Sequence, residues 1–462
     1  MLRQAPSESG RRDADRSLLE TVAAVDRLGR FTAELSWEAL PGQVRERALL
    51  MLADTLGVAV AGARTPELRR LLDAWAPPAG DATVLGTGRR AGADDAAWLN
   101  GTAACALELD EGNKHAQGHP AAHVLFAAVA TAQTLDSVRS GGEVLAALVA
   151  GYEVAARFGQ AVRRRTDLHT HGHWGATGAG AAVAALRKLP PGRVAAAIDA
   201  AGGLVYVSPW AVVLDGSFVR NLWAAGANVS GLVAARLAAA GLAEVAGTPA
   251  RTLGGPVGDL DPAVLTEGLG DRFAVTEGYV KRHASCSYTH PAADAVLALR
   301  ARHGFVAADV ARVTVDTHRL AAPLAPLATR TRLAAMFSIP YVVAVALADG
   351  AVAPASFDEA RRGDPATLDL AARVSVRHDP ALDRRLPAER VSRVTVDLGD
   401  GASHTVEQPN PVGDADHEPF GPLEVRDKLS RLIGADDARR VLDVVAALPE
   451  APDGAALLGE LP

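Results

Sequence analysis

The chain has 462 residues, of which 49% are hydrophobic, 22% charged and only 4% aromatic. Its length suggests two or three domains, and its composition is that of a globular protein whose core is built from small aliphatic side chains. The net charge of −7 gives no electrostatic reason to expect nucleic acid or an anionic membrane as a partner. Two distant cysteines, Cys105 and Cys286, form no disulfide framework, so we expect a reducing, cytoplasmic setting.

The first part of the chain has the periodicity of helices. Residues 1–17 are polar, without the apolar core of a signal peptide, and we predict a disordered tail there. From 18 to 272 we predict a large helical domain, because apolar residues recur at i, i+3, i+4 and i+7. The clearest amphipathic segments cover residues 18–35, 44–62 and 141–162. Segments 177–189 and 224–241 carry small residues every three or four positions, which favours close helix packing and could support a homodimer interface.

The pattern changes after about residue 273, where apolar and polar residues alternate in segments rich in β-branched side chains. These segments are 311–318, 372–379 and 392–408. The last contains Gly-Asp-Gly between two alternating runs, which predicts a hairpin. Because helical segments lie among these strands, we predict a smaller α+β lid domain over 273–408. Residues 409–462 are predicted as a proline-rich linker followed by helices that pack back on the helical domain. The expected fold class is therefore mainly α with a second α+β domain.

A first group of polar residues lies between two apolar helical segments, in the stretch ELDEGNKHAQGHP (108–120). It contains Glu108, Asp110, Glu111, Asn113, His115 and His119. Such a loop suits the mouth of a cavity, but it also suits a solvated connection between helices. His123, inside the following helical segment, is predicted to be a core histidine.

A second group, DLHTHGHWG (167–175), places His169, His171 and His173 at alternate positions. On a strand these imidazoles would point one way, as in some metal sites. Because the run leads into a Gly/Ala helix, the strand geometry is not expected, and a proton-transfer role for one histidine is the preferred interpretation. A metal-dependent hydrolase remains the alternative.

Two basic positions complete the candidate site. Arg220 begins an apolar, close-packed helical segment, where an anionic partner would explain its presence. The stretch KRHASCSYTHP (281–291) combines Lys281 with residues that are often partly buried, Cys286, Tyr288 and His290. It joins the two predicted domains, where pockets tend to form. No phosphate-binding glycine loop, CxxC pair or GxSxG motif stands out.

Taken in order, these stretches resemble the MmgE/PrpD family, which includes 2-methylcitrate dehydratases, cis-aconitate decarboxylases and iminodisuccinate epimerases. The resemblance covers most of the chain. Its segments are 52–62, 100–113, 118–130, 150–159, 171–182, 281–299 and 337–350. It implies a helical domain with an α+β lid, usually dimeric, and a site between the domains that needs no cofactor and no metal.

Carried over by motif, the resemblance implies that His119 and His169 form the acid/base pair, that Asp110 orients a histidine, and that Lys281 and Arg220 hold substrate carboxylates. Which histidine is the base stays open. Further expected substrate contacts are Glu108, Asn113, His173, Ser285, Cys286 and Tyr288.

The chain also departs from the family pattern. Arg220 stands where many members have lysine, His283-Ala284 replaces the usual Tyr-Pro, and Ser287 replaces an arginine that often follows the cysteine. One cation fewer suggests a substituted or larger acid as substrate. We therefore expect a cofactor-independent lyase, a dehydratase of a substituted hydroxy-carboxylic acid. The alternatives are a decarboxylase or epimerase using the same pocket, the metal-dependent hydrolase, and a non-catalytic acid-binding protein.

Overall fold

The structure, a computed structural model, describes residues 8–462, with side-chain environments from residue 15 onward. Helices dominate both ends of the chain and recur between the strands of the middle part. The helices are α1 (Glu8–Glu34), α2 (Gly42–Ala63), α3 (Pro66–Trp75), α4 (Ala93–Cys105), α5 (Pro120–Thr134), α6 (Gly141–Ala161), α7 (Gly175–Leu186), α8 (Pro191–Ala201), α9 (Trp210–Leu214), α10 (Val219–Ala239), α11 (Thr248–Thr252), α12 (His290–His303), α13 (Arg332–Met336), α14 (Ile339–Asp349), α15 (Glu359–Arg362), α16 (Pro365–Ala372), α17 (Pro380–Asp383), α18 (Pro422–Ile433), α19 (Ala435–Ala447) and α20 (Gly454–Leu458).

The strands form one four-stranded sheet and three two-stranded pairs. They are β1 (Ala82–Val84), β2 (Arg89–Ala91), β3 (Gly112–Asn113), β4 (Val162–Arg164), β5 (Gly258–Leu260), β6 (Gly278–Tyr279), β7 (Val310–Thr317), β8 (Val374–His378), β9 (Ser392–Leu398) and β10 (Ser403–Gln408). The sheet has the order β10-β9-β7-β8, in which only β7 and β8 run parallel. The pairs are β1–β2, β3–β6 and β4–β5.

The three alternating segments predicted from the sequence are strands of this sheet, and the predicted hairpin joins β9 to β10. Its turn uses Gly401, whose φ of +93° is accessible to glycine without strain. The mainly α fold with an α+β part is thus confirmed. The domain boundaries at 272 and 408 stay predictions.

The N-terminal expectation needs a correction. Residues 1–7 of the predicted disordered tail lie outside the described residues, but the chain is helical from Glu8 onward. No proline interrupts it between Glu8 and Glu34, and polar residues extend a helix about as readily as they form a coil. Polar composition alone was therefore a poor guide here.

The glycine-rich helices approach each other closely inside the chain. A Cβ on Gly178 of α7 would lie 2.2 Å from the backbone oxygen of Gly151 in α6, and a Cβ on Gly151 would lie 2.7 Å from that of Gly178. The two backbones are in direct contact because neither residue has a side chain. The small-residue face of α7 is thus used within the chain, and the homodimer stays a prediction.

The β3–β6 pair joins the helical part to the segment that begins at Lys281. Gly112 pairs with Tyr279, and Asn113 pairs with Gly278. A Cβ on Gly112 would lie 2.3 Å from the Tyr279 ring, so only glycine lets the ring lie across β3. This pairing brings two polar stretches that are far apart in sequence to one place.

The C-terminal helices pack on α2. Lys428 of α18 forms a buried ion pair with Asp54 of α2 (Nζ to Oδ1, 2.7 Å), and the side chain of Leu429 fills the space above Gly57. The last helical run of the sequence is divided into α18 and α19 at Gly434, which has a φ of +85°.

Helix α10 is long and apolar enough to cross a membrane by length and composition, and α2 with α3, bent by 77°, would also qualify as one broken span. The apolar window of α10 is 67% buried inside the structure, as in the core helices of many globular proteins, so this is weak evidence for a span.

Candidate active site

A cleft lies where the helical part meets the segment after β6. Its wall carries four cationic side chains and a single carboxylate, together with imidazole, hydroxyl, thiol and aromatic groups. The lining residues are Glu108, Asn113, Lys114, Gln117, Gly118, His119, Arg164, His169, Thr170, Trp210, Arg220, Tyr279, Cys286, Ser287, Tyr288, Phe337 and Arg390. The excess of cations makes the cleft suited to an anionic ligand.

The loop of residues 108–119, called here the acidic loop, is fixed by its own polar groups. Asn113 Oδ1 accepts hydrogen bonds from the backbone N–H groups of His115 and Ala116, and its Nδ2 donates to the carbonyl of Ala274. Glu108 and Gln117 both have a φ of +52°, a region that side-chain-bearing residues rarely adopt. Such backbone geometry is held only where the surroundings enforce it, and it is frequent at functional sites.

Four buried charges, called here the charge quartet, connect this loop to two other elements: Glu108, Asp110, Arg220 and Lys281. The Lys281 ammonium lies 3.0 Å from Asp110 and 3.4 Å from Glu108, and Arg220 forms an ion pair with Glu108. Burial lowers the pKa of Lys281, but Asp110 and Glu108 outweigh it and raise the pKa above its ordinary value. Burial would likewise raise the pKa of Asp110, yet its electrostatic interactions with His119 and Lys281 hold it below its ordinary value. Asp110 and Lys281 are therefore an ionised pair.

His119 caps the start of α5 and carries its proton on Nδ1. That nitrogen lies 2.6 Å from the carbonyl oxygen of Glu111 and 3.1 Å from Asp110 Oδ2. Both neighbours can only accept, so Nδ1–H must donate, and Nε2 keeps its lone pair. Burial lowers the pKa of His119 to about 3, although Asp110 opposes the shift. His119 is thus neutral and has the form of a general base.

His169 has the opposite tautomer. The backbone N–H of His171 donates to its Nδ1 (3.2 Å), so the proton of the neutral ring is on Nε2. Burial, followed by the charges of Arg220 and Arg164, lowers the pKa of His169 well below its ordinary value. The ring packs edge-on against Trp210, at 4.8 Å between ring centroids. His169 therefore offers an N–H donor and has the form of a general acid.

The HxHxH run is not a strand, and its imidazoles do not form a metal-binding group. The run lies in the turns before α7, and the ring of His173 is bonded through Nε2 to the carbonyl of His169. Within residues 15–462, the group with ligand atoms close enough for a metal ion is Cys105, Asp110 and His171. Because Asp110 there already binds an ammonium group, and that charge repels a cation, we assign no metal to it.

The expected site residues divide into two sets. Those on the cleft wall are Glu108, Asn113, His119, His169, Arg220, Cys286 and Tyr288. Asp110, Lys281, His173 and Ser285 are buried behind it. Asp110 and Glu108 occupy the Lys281 ammonium group, the Asn113 amide bonds within the acidic loop, and the Ser285 hydroxyl is bonded to that of Thr289 (2.7 Å). Substrate contacts of Lys281, Asn113 and Ser285 stay predictions.

Several residues on the cleft wall had no signal in the sequence analysis. Arg164 lies in the run Arg163–Arg165, which is typical of a solvated surface. Arg390 comes from the loop before β9 and lies 4.5 Å above the Tyr279 ring while bonding to Asp414. Trp210 and Phe337 read as ordinary core residues. For Arg164 the density of arginine in its run was a hint, and the other three residues had none.

The comparisons with known proteins identify the family of the chain. The family model for the MmgE/PrpD N-terminal domain matches residues 26–258, and the one for the MmgE/PrpD C-terminal domain matches residues 283–450. A cis-aconitate decarboxylase of Aspergillus terreus (strain NIH 2624 / FGSC A1156) is 26% identical over 93% of this chain and 94% of its own length. The cis-aconitate decarboxylase-like protein oryM of Aspergillus oryzae (strain ATCC 42149 / RIB 40) is 27% identical over 93% and 95%. Decarboxylases are lyases, so a lyase-type function is supported, and with both family models matched the chain belongs to the MmgE/PrpD family.

Proposed function

We propose that the protein is a lyase that removes water from a hydroxy-carboxylic acid, beginning with the proton on the carbon beside a carboxylate. The observation that carries this proposal is the pair of histidines on one cleft. His119 has a free lone pair on Nε2, and His169 has an N–H on Nε2. Elimination of water needs one group of each kind.

The steps follow from these tautomers. His119 Nε2 takes the α-proton, and the electron pair left on carbon forms the double bond as the hydroxyl group leaves. His169 Nε2–H gives its proton to that hydroxyl, which departs as water. The neutral His169 ring thereby becomes an imidazolate whose charge the cations Arg220 and Arg164 offset, and it regains a proton from solvent as His119 releases the α-proton. The carboxylate of Asp110, 3.1 Å from Nδ1 of His119, stabilises the imidazolium as it forms.

Cationic groups are essential because a proton beside a carboxylate is very weakly acidic. As it is removed, negative charge grows on the substrate carboxylate, and fixed cations that meet this charge lower the barrier. Arg220 and Arg390 line the cleft and can do this directly. Lys281 acts from behind the wall, by holding Asp110 ionised and in place.

Decarboxylation is the second candidate, and it is favoured by the names of the curated relatives. It needs a proton donor to the carbanion but no base, so His119 would be dispensable for the bond-breaking step. An epimerase would use both groups without losing water. The metal-dependent hydrolase loses its support because the HxHxH imidazoles do not converge, and a non-catalytic acid-binding protein would need no preset acid/base pair.

The test uses a panel of hydroxy-di- and tricarboxylic acids together with cis-aconitate, with loss of water and of carbon dioxide followed by mass and α-proton exchange followed in deuterated water. We expect wild-type protein to release water. His119→Asn should lose both exchange and turnover by about 10²-fold or more, whereas His169→Asn should retain exchange and lose turnover.

His115→Asn is the matched control, because His115 lies in the same loop but does not line the cleft. Carbon dioxide release that survives in His119→Asn would replace the dehydratase by a decarboxylase. Turnover of no acid by the wild-type protein would favour the non-catalytic alternative.

A further inference from the structure

The cations of the cleft differ in whether an acid already neutralises them. Arg220 is paired with Glu108, and both Lys114 and Arg390 are paired with Asp414. A cation that is already paired with a carboxylate attracts a further anion less strongly than an unpaired cation does. The remaining lining cation is Arg164.

Arg164 has no carboxylate within ion-pair distance among the described residues. The one hydrogen bond of its guanidinium goes to the backbone carbonyl of Arg165, at 3.3 Å. Burial lowers its pKa, and only the Tyr288 hydroxyl opposes the shift. A half-buried guanidinium without an acid is costly unless an anion is bound there for part of the protein's cycle.

The backbone holds Arg164 in place. It is the last residue of β4 and pairs with Gly258 of β5. A Cβ on Gly258 would lie 2.3 Å from the carbonyl oxygen of Arg163, so the two strands approach as closely as glycine allows. A side chain presented from a fixed strand loses less entropy when it binds a ligand.

Arg164 also lies on the acid side of the cleft. It lines the cleft together with His169 and Tyr288, and its charge helps burial to lower the pKa of His169 while it opposes the rise that burial causes in the pKa of Tyr288. An anion bound to Arg164 would therefore lie beside the proton donor. The carbon that loses its proton would have to lie nearer His119.

We propose that Arg164 binds a second carboxylate of the substrate, remote from the carbon that loses its proton, and thereby selects di- and tricarboxylic acids over monocarboxylic acids. This inference rests on the proposed function only in taking the cleft to be the substrate site. Arg164 can bind the planar carboxylate with two parallel hydrogen bonds. It takes the anchoring role that the sequence suggested for Lys281.

The test measures binding of tricarballylate and glutarate, which carry no hydroxyl group to eliminate, and of butanoate, by calorimetry. We expect Arg164→Gln to weaken the two polyacids by about 10- to 100-fold relative to wild type, with butanoate unchanged. Arg164→Lys should recover part of the affinity. On an active substrate, Arg164→Gln should raise KM more than it lowers kcat.

Arg163→Gln is the matched control, since Arg163 is the neighbouring residue of β4, 84% exposed and paired with Asp259 outside the cleft. Equal polyacid affinity in Arg164→Gln and Arg163→Gln overturns the inference, as does wild-type protein that binds no polyacid. Selective loss of polyacid binding in Arg164→Gln upholds it even if no water is released, in which case the dehydratase alone fails.

Discussion

His119 and His169 are chemically identical side chains that the backbone sets to different tasks. In His119 the Nδ1 faces two acceptors, and in His169 it faces a backbone donor. The tautomer is thus fixed by Glu111 and Asp110 in the case of His119, and by His171 in the case of His169. Exchanging the two roles would require moving backbone groups, so neither residue can substitute for the other.

The first prediction concerns the pH profile of the reaction. Burial lowers the pKa of His119 to about 3 and lowers that of His169 well below its ordinary value, so neither ring is expected to titrate near pH 6.5. We expect kcat/KM to show no acidic limb with an apparent pKa near 6.5, where an exposed histidine would titrate. A limb at that pH in wild-type protein, absent from His119→Asn, would contradict the assignment.

The second prediction concerns Lys281. Lys281→Met leaves Asp110 and Glu108 buried with Arg220 as their main cation, and we expect a loss of about 3–5 kcal/mol in the free energy of unfolding, measured in urea. Adding Asp110→Asn should restore part of the stability without restoring turnover, because His119 then lacks its charged partner. Lys188→Met, which removes an exposed pair with Glu143, should cost less than about 1 kcal/mol. Equal losses of unfolding free energy in Lys281→Met and Lys188→Met would contradict the burial of the charge quartet.

The third prediction concerns Glu111, which follows Asp110 and is buried. Burial raises its pKa to about 8, above the value near 4.3 expected in the unfolded chain. The folded state therefore binds the extra proton between these values, and stability is lost as pH rises through that window. Glu111→Gln should gain in melting temperature relative to wild type from pH 5 to pH 8. A constant difference across this range would show that Glu111 titrates normally.

Residue roles could be predicted only where a motif marks them. The acidic loop, His169, Arg220 and Lys281 were found from local polar density, and the loop, His169 and Arg220 do contribute to the cleft wall. Which cations are neutralised by an acid could not be predicted, because the partners of Lys281 and Lys114 lie far away in sequence. Arg164 was missed because its proposed role depends on the absence of an acidic partner, and a sequence does not show such an absence.

At the scale of elements, periodicity was a good guide to the strands of the four-stranded sheet and to the amphipathic helices. The strands carry a 2.0 period and helices α1, α18 and α19 a 3.6 period, whereas α4, α5 and α7 are buried almost all round and show little periodicity. The two-residue strands β3 and β6 are too short to have a period. Yet the β3–β6 pairing decides where Lys281 meets Asp110. Sequence patterns therefore could not predict the contact that brings the two halves of the site together.

The fourth prediction tests the β3–β6 pairing. In Gly112→Ala the new Cβ would meet the Tyr279 ring, which is buried beneath Arg390, and the ring would have to move into the cleft. We expect a loss of about 1–3 kcal/mol in stability and a rise in KM. Gly192→Ala, on a glycine of α8 with no atom near its Cβ, should change stability by less than about 1 kcal/mol. Unaltered KM in Gly112→Ala would mean that the β3–β6 pairing does not position the cleft.

At the scale of the whole molecule, the histidines determine how the fold responds to acid. Seven are buried with lowered pKa values: His119, His123, His169, His171, His173, His290 and His318. In the unfolded chain each would titrate near pH 6.5. These imidazoles are buried in their neutral form. Protonation of any of them therefore opposes folding.

The fifth prediction follows from the sign of that linkage. Below pH 6.5 the unfolded chain binds protons that the folded protein does not, so the free energy of unfolding should fall as pH decreases, by about 1.4 kcal/mol per pH unit for each such proton. We expect a steep loss of stability between pH 6.5 and 5, measured by urea unfolding at intervals across this range. His318→Gln removes a histidine whose pKa is lowered to about 4 and should reduce the slope by about one proton. His303→Gln, on an exposed ring, should leave it nearly unchanged, and identical slopes in both variants would place the acid sensitivity elsewhere.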